Sequence, residues 1–195
     1  MFIVITGPSA SGKSTFAACL SHELGIPAFT KDDMKIALSR HITHHSPNEL
    51  RRMLSKATSS AMFSAAESML AANVPFILEA NFRQYECDHI NDIILRHGCK
   101  CLTYLFTGDL NTLARRFIER EQTSRHTSLR LPNFNADQAF YAKEFEEFVN
   151  IRISSSMIQV DSTCFASINF NNLIESARKF MKCCTRHPGL APGSH

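Results

Sequence analysis

The stretch Gly7-Pro8-Ser9-Ala10-Ser11-Gly12-Lys13-Ser14, followed by Thr15, constrains this chain more than any other. It follows the spacing G-x-x-x-x-G-K-[ST] without a gap. Gly7 and Gly12 let the backbone turn so that successive N–H groups converge on one point. Before the loop, Phe2-Ile3-Val4-Ile5 is an apolar, β-branched run that reads as a buried strand. After it, Phe16, Ala17, Leu20 and Leu24 recur at helical spacing. The convergent N–H groups therefore lie at a helix N-terminus, where unpaired donors and the dipole favour an anion. Lys13 adds a mobile charge suited to β- and γ-phosphates, and the Ser14 hydroxyl suits the shell of a Mg²⁺ ion.

With 195 residues, 44% of them hydrophobic, the chain is sized for one medium domain or for one domain with a small lid. A net charge of +3 gives no argument for a nucleic-acid partner. Cys19, Cys87, Cys99, Cys101, Cys164, Cys183 and Cys184 show no C-x-x-C spacing. Reduced thiols in a cytoplasm are expected, rather than a disulfide framework or a zinc site. The first apolar run is too short for a signal peptide, and no apolar segment approaches membrane-spanning length. A cytoplasmic protein without a membrane partner is expected; the oligomeric state is open.

Along the chain, a helix from Lys13 to about Leu24 ends at Gly25, and residues 27–30 form a short strand. Asp32 and Asp33 open the next helix. They serve its first turn electrostatically, and they also sit where strand ends surround a ligand crevice. Ser46-Pro47-Asn48-Glu49 starts a long helix to about Ala72, capped by Asn73, with Leu50, Met53, Leu54, Ala57, Ala61 and Ala65 as its stripe. His41 and His45 could share a helical face as metal ligands, but no third ligand joins them, and with His44 they read as a solvated linker. Strand 75–78 ends in Glu79, either a Walker-B-like acid or a polar terminus. Asn81–Gln84 caps a helix to His97, strand 101–106 follows, and Asp109 caps the next helix. Its stripe is Leu110, Leu113, Ala114, Phe117 and Ile118. Arg116 and Arg120 share a face, whereas Arg115 pairs with Glu119. With Arg125, His126 and Arg130 they form either a lid over phosphates, at about 109–135, or a solvated face. A helix after Asn135–Gln138 buries Tyr141, Phe145, Phe148 and Val149; a strand at 157–161 and a helix at 169–182 follow. Strands alternating with helices give a parallel sheet covered on both sides.

Four features together resemble the small phosphate-loop kinases of the AAA_33 type. These are Gly7–Thr15, Asp32-Asp33 with Lys35, Ile77-Leu78-Glu79-Ala80-Asn81-Phe82, and Arg116 with Arg120. That group is akin to the kinase domain of phage polynucleotide kinase and to chloramphenicol phosphotransferase. The resemblance covers most of residues 1–182 and implies an α/β P-loop NTPase fold. Its five-stranded parallel sheet would run in the order 2-3-1-4-5, with helices on both faces and a helical lid. It implies a kinase domain over residues 1–183; residues 184–195, rich in Pro and Gly and without apolar periodicity, read as a flexible tail.

The activity implied is transfer of the γ-phosphoryl of ATP, with Mg²⁺, to a hydroxyl-bearing acceptor. Gly7, Pro8, Ser9, Ala10, Ser11, Gly12, Lys13, Ser14 and Thr15 would hold the nucleotide, with Arg116 and Arg120. Ser14 would bind Mg²⁺, with Asp33 and Glu79 on its waters. Lys13, Asp32, Arg116 and Arg120 would serve the reaction, with Asp32 at the acceptor hydroxyl and Glu79 in reserve. The polynucleotide kinase pattern has an arginine where this chain has Lys35, which cannot make the planar two-pronged contact. A small or nucleotide-like acceptor is therefore expected ahead of nucleic acid. Two alternatives are a nucleotide switch with weak ATP hydrolysis, which has no need of Asp32, and a zeta-toxin-like kinase of nucleotide sugars.

Overall fold

A computed structural model describes residues 1–42, 46–122 and 137–185. His44, His45, Arg125, His126, Arg130, Asn135 and residues 186–195 lie outside the described residues.

The central strand is β1 (Phe2–Thr6), buried along its whole length. Strands covered on both faces carry continuous apolar runs of this kind. Around it stand β2 (Ala28–Thr30), β3 (Phe76–Glu79), β4 (Cys101–Thr107) and β5 (Ser156–Asp161), in the order β2-β3-β1-β4-β5. All four pairings are parallel. The expected sheet order is therefore correct. Glu79 stands level with Ile5 on one side and Thr30 on the other. The loop after β1, the end of β3 and the start of the helix after β2 thus emerge at one edge of the sheet.

Helices α1 (Lys13–Leu24), α2 (Lys31–Ser39), α3 (Pro47–Ala71), α4 (Gln84–His97), α5 (Leu110–Gln122), α6 (Gln138–Val149) and α7 (Phe170–Thr185) connect or cover the strands. Side chains alternate across β1. Phe2 and Val4 join Met62, Phe63 and Ala66 of α3 and Ile90 and Ile93 of α4. Ile3 and Ile5 join Phe16 and Leu20 of α1 and Ile174 and Ala177 of α7. A third cluster lies between α5 and α6: Leu113, Ala114, Phe117, Tyr141, Phe145 and Phe148. Burying each large apolar side chain of this kind contributes about 1.5–3 kcal/mol.

The predicted ends hold closely. Gly25 and Gly98 close α1 and α4 in the left-handed region, and Asn73 adopts φ 56 beyond α3. Ser46 Oγ accepts from the Glu49 N–H at 3.5 Å. The stripe of α3 differs from expectation. Met53, Ala57 and Ala61 face outward, and Leu54, Met62, Phe63, Ala66 and Leu70 are buried. Bulky side chains gain more from burial than alanine does, so they set the helix rotation. A short 3₁₀ turn at Phe165–Ser167 was not expected. All seven cysteines are free thiols. Among the described residues no helix is long and apolar enough to cross a membrane.

Candidate active site

The loop between β1 and α1 turns through three left-handed residues, Gly7 (φ 131), Ala10 (φ 60) and Gly12 (φ 91). Gly7 passes so close to β4 that an added Cβ would lie 2.1 Å from the Phe106 carbonyl oxygen. At Gly12 a Cβ would meet the Phe165 ring edge at 2.3 Å. Ala10 lacks glycine's freedom, and such a conformation costs on the order of 1–3 kcal/mol. The loop is held from within. The Ser11 hydroxyl donates to the Pro8 carbonyl at 2.9 Å, and Lys13 Nζ donates to the same oxygen at 2.5 Å. It is held from outside by the segment after β3, where Asn81 Nδ2 donates to Ser9 Oγ at 2.7 Å. The Phe82 N–H donates to Thr6 Oγ1 at 3.2 Å.

A cavity of about 410 Å³ opens at this sheet edge. Ser9, Ala10, Gly12, Lys13, Ser14 and Thr15 form its phosphate side, and Asp32, Glu79 and Arg120 face it too. Gly7, Pro8 and Ser11 shape the loop from behind. Burial lowers the Lys13 ammonium to about 8, against the opposing pull of the Glu79 and Asp32 carboxylates; Arg120 pushes the same way as burial. Burial raises Glu79 to about 7, with Asp32 and Asp33 adding to it, while Lys13 and a hydrogen bond with Ser14 counteract. Lys13, Ser14, Asp32, Glu79 and Arg120 therefore share one electrostatic neighbourhood. Asp33 acts on Glu79 through its charge without lining the cavity.

The two arginines of α5 part company. Arg120 lines the cavity, packs over Phe117 at 5.5 Å and donates from Nε to buried Glu121 at 3.0 Å. Arg116 lies outside it, and its two terminal nitrogens hold the carbonyls of Ser162 (2.8 Å) and Thr163 (2.6 Å) after β5. Arg115 and Glu119 approach at 3.8 Å on the surface.

The donors fit a nucleotide with Mg²⁺. The Ser14 hydroxyl bonded to Glu79 offers the oxygen ligands that this ion prefers. Among the described residues no cluster of three metal-ligating side chains exists.

On the opposite wall the sequence reading singled out Lys35 but not Lys31, Glu86, Arg51 or Ser55. Lys31 Nζ donates to Glu86 Oε1 at 2.6 Å, and both groups are buried. The Ser59 hydroxyl donates to the same oxygen at 2.6 Å, and Glu86 Oε2 accepts from the Arg83 N–H at 3.0 Å. Lys35, Arg51 and Ser55 line the cavity beside this node. The available signal was spacing: Lys31/Lys35 and Arg51/Ser55 are i,i+4 pairs, each on one helix face.

A strand, a glycine loop on a helix N-terminus and an acid closing the neighbouring strand define a kinase-like P-loop fold of the α/β class. The chain belongs to the AAA_33 family, described as an AAA domain, whose model matches residues 2–141. Among solved structures it is similar to a kinase candidate from Chloroflexus aurantiacus (TM-score 0.79, 19% identity, 94% of this chain and 96% of that one covered). It is also similar to a gluconokinase from Sinorhizobium meliloti (TM-score 0.54, 17% identity, 94% and 93% covered). A shikimate kinase from Aquifex aeolicus is a third such structure (TM-score 0.56, 16% identity, 93% and 96% covered). At these identities the likeness is one of fold. No curated protein matches the chain in sequence.

Proposed function

We propose that this chain is an ATP-dependent kinase that transfers the γ-phosphoryl group to a hydroxyl of a small molecule in the cytoplasm. One observation carries the reading. Asp32 faces the same cavity as Lys13 and Ser14, close enough to act on Lys13 and Glu79 through its charge. A nucleotide switch has no need of such a carboxylate. The gluconokinase and shikimate kinase of like fold agree with a hydroxyl-bearing acceptor.

In this reading the loop backbone and Lys13 hold the β- and γ-phosphates. Ser14 would hold Mg²⁺, with Asp33 and Glu79 on its waters. The ion, when bound, neutralises charge on the phosphate oxygens. Asp32 accepts the acceptor's hydroxyl proton and holds its oxygen in line with the γ-phosphorus. The acceptor O–P bond forms as the bond to the β-phosphate oxygen breaks, and ADP leaves. Arg120 meets the charge of the transferring group from α5, the described start of a lid over about 109–135. Arg116 shapes the base side by holding the loop after β5.

The test is transfer of label from γ-labelled ATP to a panel of metabolites, nucleosides and 5′-hydroxyl oligonucleotides, with Lys13→Ala as control. Labelled product with the wild type, and weakened ATP binding or turnover in a folded Lys13→Ala, is the expected result. Slow ATP hydrolysis without any labelled acceptor would favour the switch.

A further inference from the structure

Opposite the phosphate loop, α2 and α3 present three cations to the cavity, Lys31 and Lys35 from α2 and Arg51 from α3, and Arg83 adds a fourth. Lys31 is held by Glu86 at 2.6 Å, and Arg83 reaches Glu147 at 2.9 Å. Arg51 is different: its Nε is buried and has no hydrogen-bond partner among the described residues. Lys35 is 8% exposed and faces the same space. Asp32 is the acid of α2 that lines this wall.

A buried guanidinium donor left unmet is costly, and such groups mark places where a ligand completes the bonding. A planar guanidinium also matches the paired oxygens of a carboxylate or phosphate, as an ammonium does not. A neutral polyol would satisfy the donor but leave the charge of the guanidinium unanswered.

We infer that the acceptor carries an anionic group, a carboxylate or a phosphate monoester, which Arg51 binds with Lys35 beside it. The inference rests on the kinase reading for the word acceptor, and on Arg51, Lys35 and the cavity for the charge. Ser55, one turn from Arg51 on the same face, adds a hydroxyl for the acceptor's remaining oxygens. The cavity volume, shared with the phosphates of a nucleotide, suits a sugar-sized acid.

The experiment uses full-length protein saturated with Mg²⁺ and a non-hydrolysable ATP analogue. Two series are titrated by calorimetry: glycerol, glycerate and glycerol 3-phosphate; glucose, gluconate and glucose 6-phosphate. Transfer from γ-labelled ATP is followed on the same compounds. An acid of at least one series should bind ~10-fold or more tightly than its neutral parent, and whether carboxylate or phosphate leads identifies the group. Arg51→Gln should weaken that acid by roughly 10- to 100-fold, the range for a hydrogen bond to a charged group, and Arg51→Lys should recover part of it. The thermal midpoint and the analogue's affinity show that each variant is folded. Equal binding of neutral parents, binding unaffected by Arg51→Gln, or no binding by any member would overturn the inference. Arg51-dependent acid binding without transfer would leave the inference standing and remove the kinase reading. Transfer to neutral members alone would do the reverse.

Discussion

The two walls of the cavity are built by different means. The phosphate wall is backbone: a loop of left-handed residues at a helix end, laid on a strand buried from Phe2 to Thr6. The facing wall is side chains from α2, α3 and the start of α4, joined at Glu86. A backbone site suits a ligand part that never changes, such as a triphosphate. A side-chain site can be re-cut residue by residue while the sheet beneath stays the same, and it is here that the proposed kinase would choose its acceptor.

The comparison breaks first at the point where the walls meet. Asp32→Asn should keep the fold and ATP affinity while losing ~10²–10⁴-fold in transfer, the usual range for a general base. Steady-state transfer with calorimetry on ATP decides it; wild-type transfer would move the base to Glu79, tested by Glu79→Gln. Next is the node of the side-chain wall. Lys31→Met leaves Glu86 buried and unmatched, and should cost about 3–5 kcal/mol of stability in urea unfolding. Lys13→Ala, on the backbone wall, should keep the fold and escape that loss, because it removes an ammonium that burial already disfavours.

Arg120→Ala comes third. It should lower kcat more than it raises KM, by less than the ~10³-fold of an arginine finger, because neighbouring charges remain. An effect on KM alone would make Arg120 a ground-state binder.

The smallest effect is in pH. Glu79 is raised from 4.5 to about 7, so its contribution to stability is complete below pH 4.5 and is lost as pH rises through 7. Lys13 is lowered from 10.5 to about 8, so its contribution is complete above pH 10.5 and is lost as pH falls through 8. Between 7 and 8 both are charged. Metal-free protein in a chelator should therefore show a shallow minimum of thermal midpoint there, and Glu79→Gln should flatten the acidic limb.

The same contrast explains what could be read from the sequence. Phosphate binding by backbone needs glycines at fixed offsets, and these are visible as Gly7 and Gly12. Strand order followed from the resemblance to a family, and the caps at Gly25, Asn73 and Gly98 from local chemistry. The facing wall needed long-range contacts. Lys31 and Glu86 are 55 residues apart, and no local pattern announces the pair. Arg51 looked like any helix-surface arginine until α3 was placed. The stripe of α3 was misread because alanines match either face, whereas Met62 and Phe63 do not. Arg116 and Arg120 read as equivalents on one helix face, yet one grips carbonyls after β5 and the other faces the cavity.

The contact between Phe165 and Gly12 has an optical consequence. Phe165 is 43% exposed, its ring edge closes on the glycine that begins α1, and the chain contains no tryptophan. Phe165→Trp would give the protein a single indole fluorophore beside the phosphate loop. Its emission would respond to any ligand entering the loop, with no label, no coupled assay and no acceptor in hand.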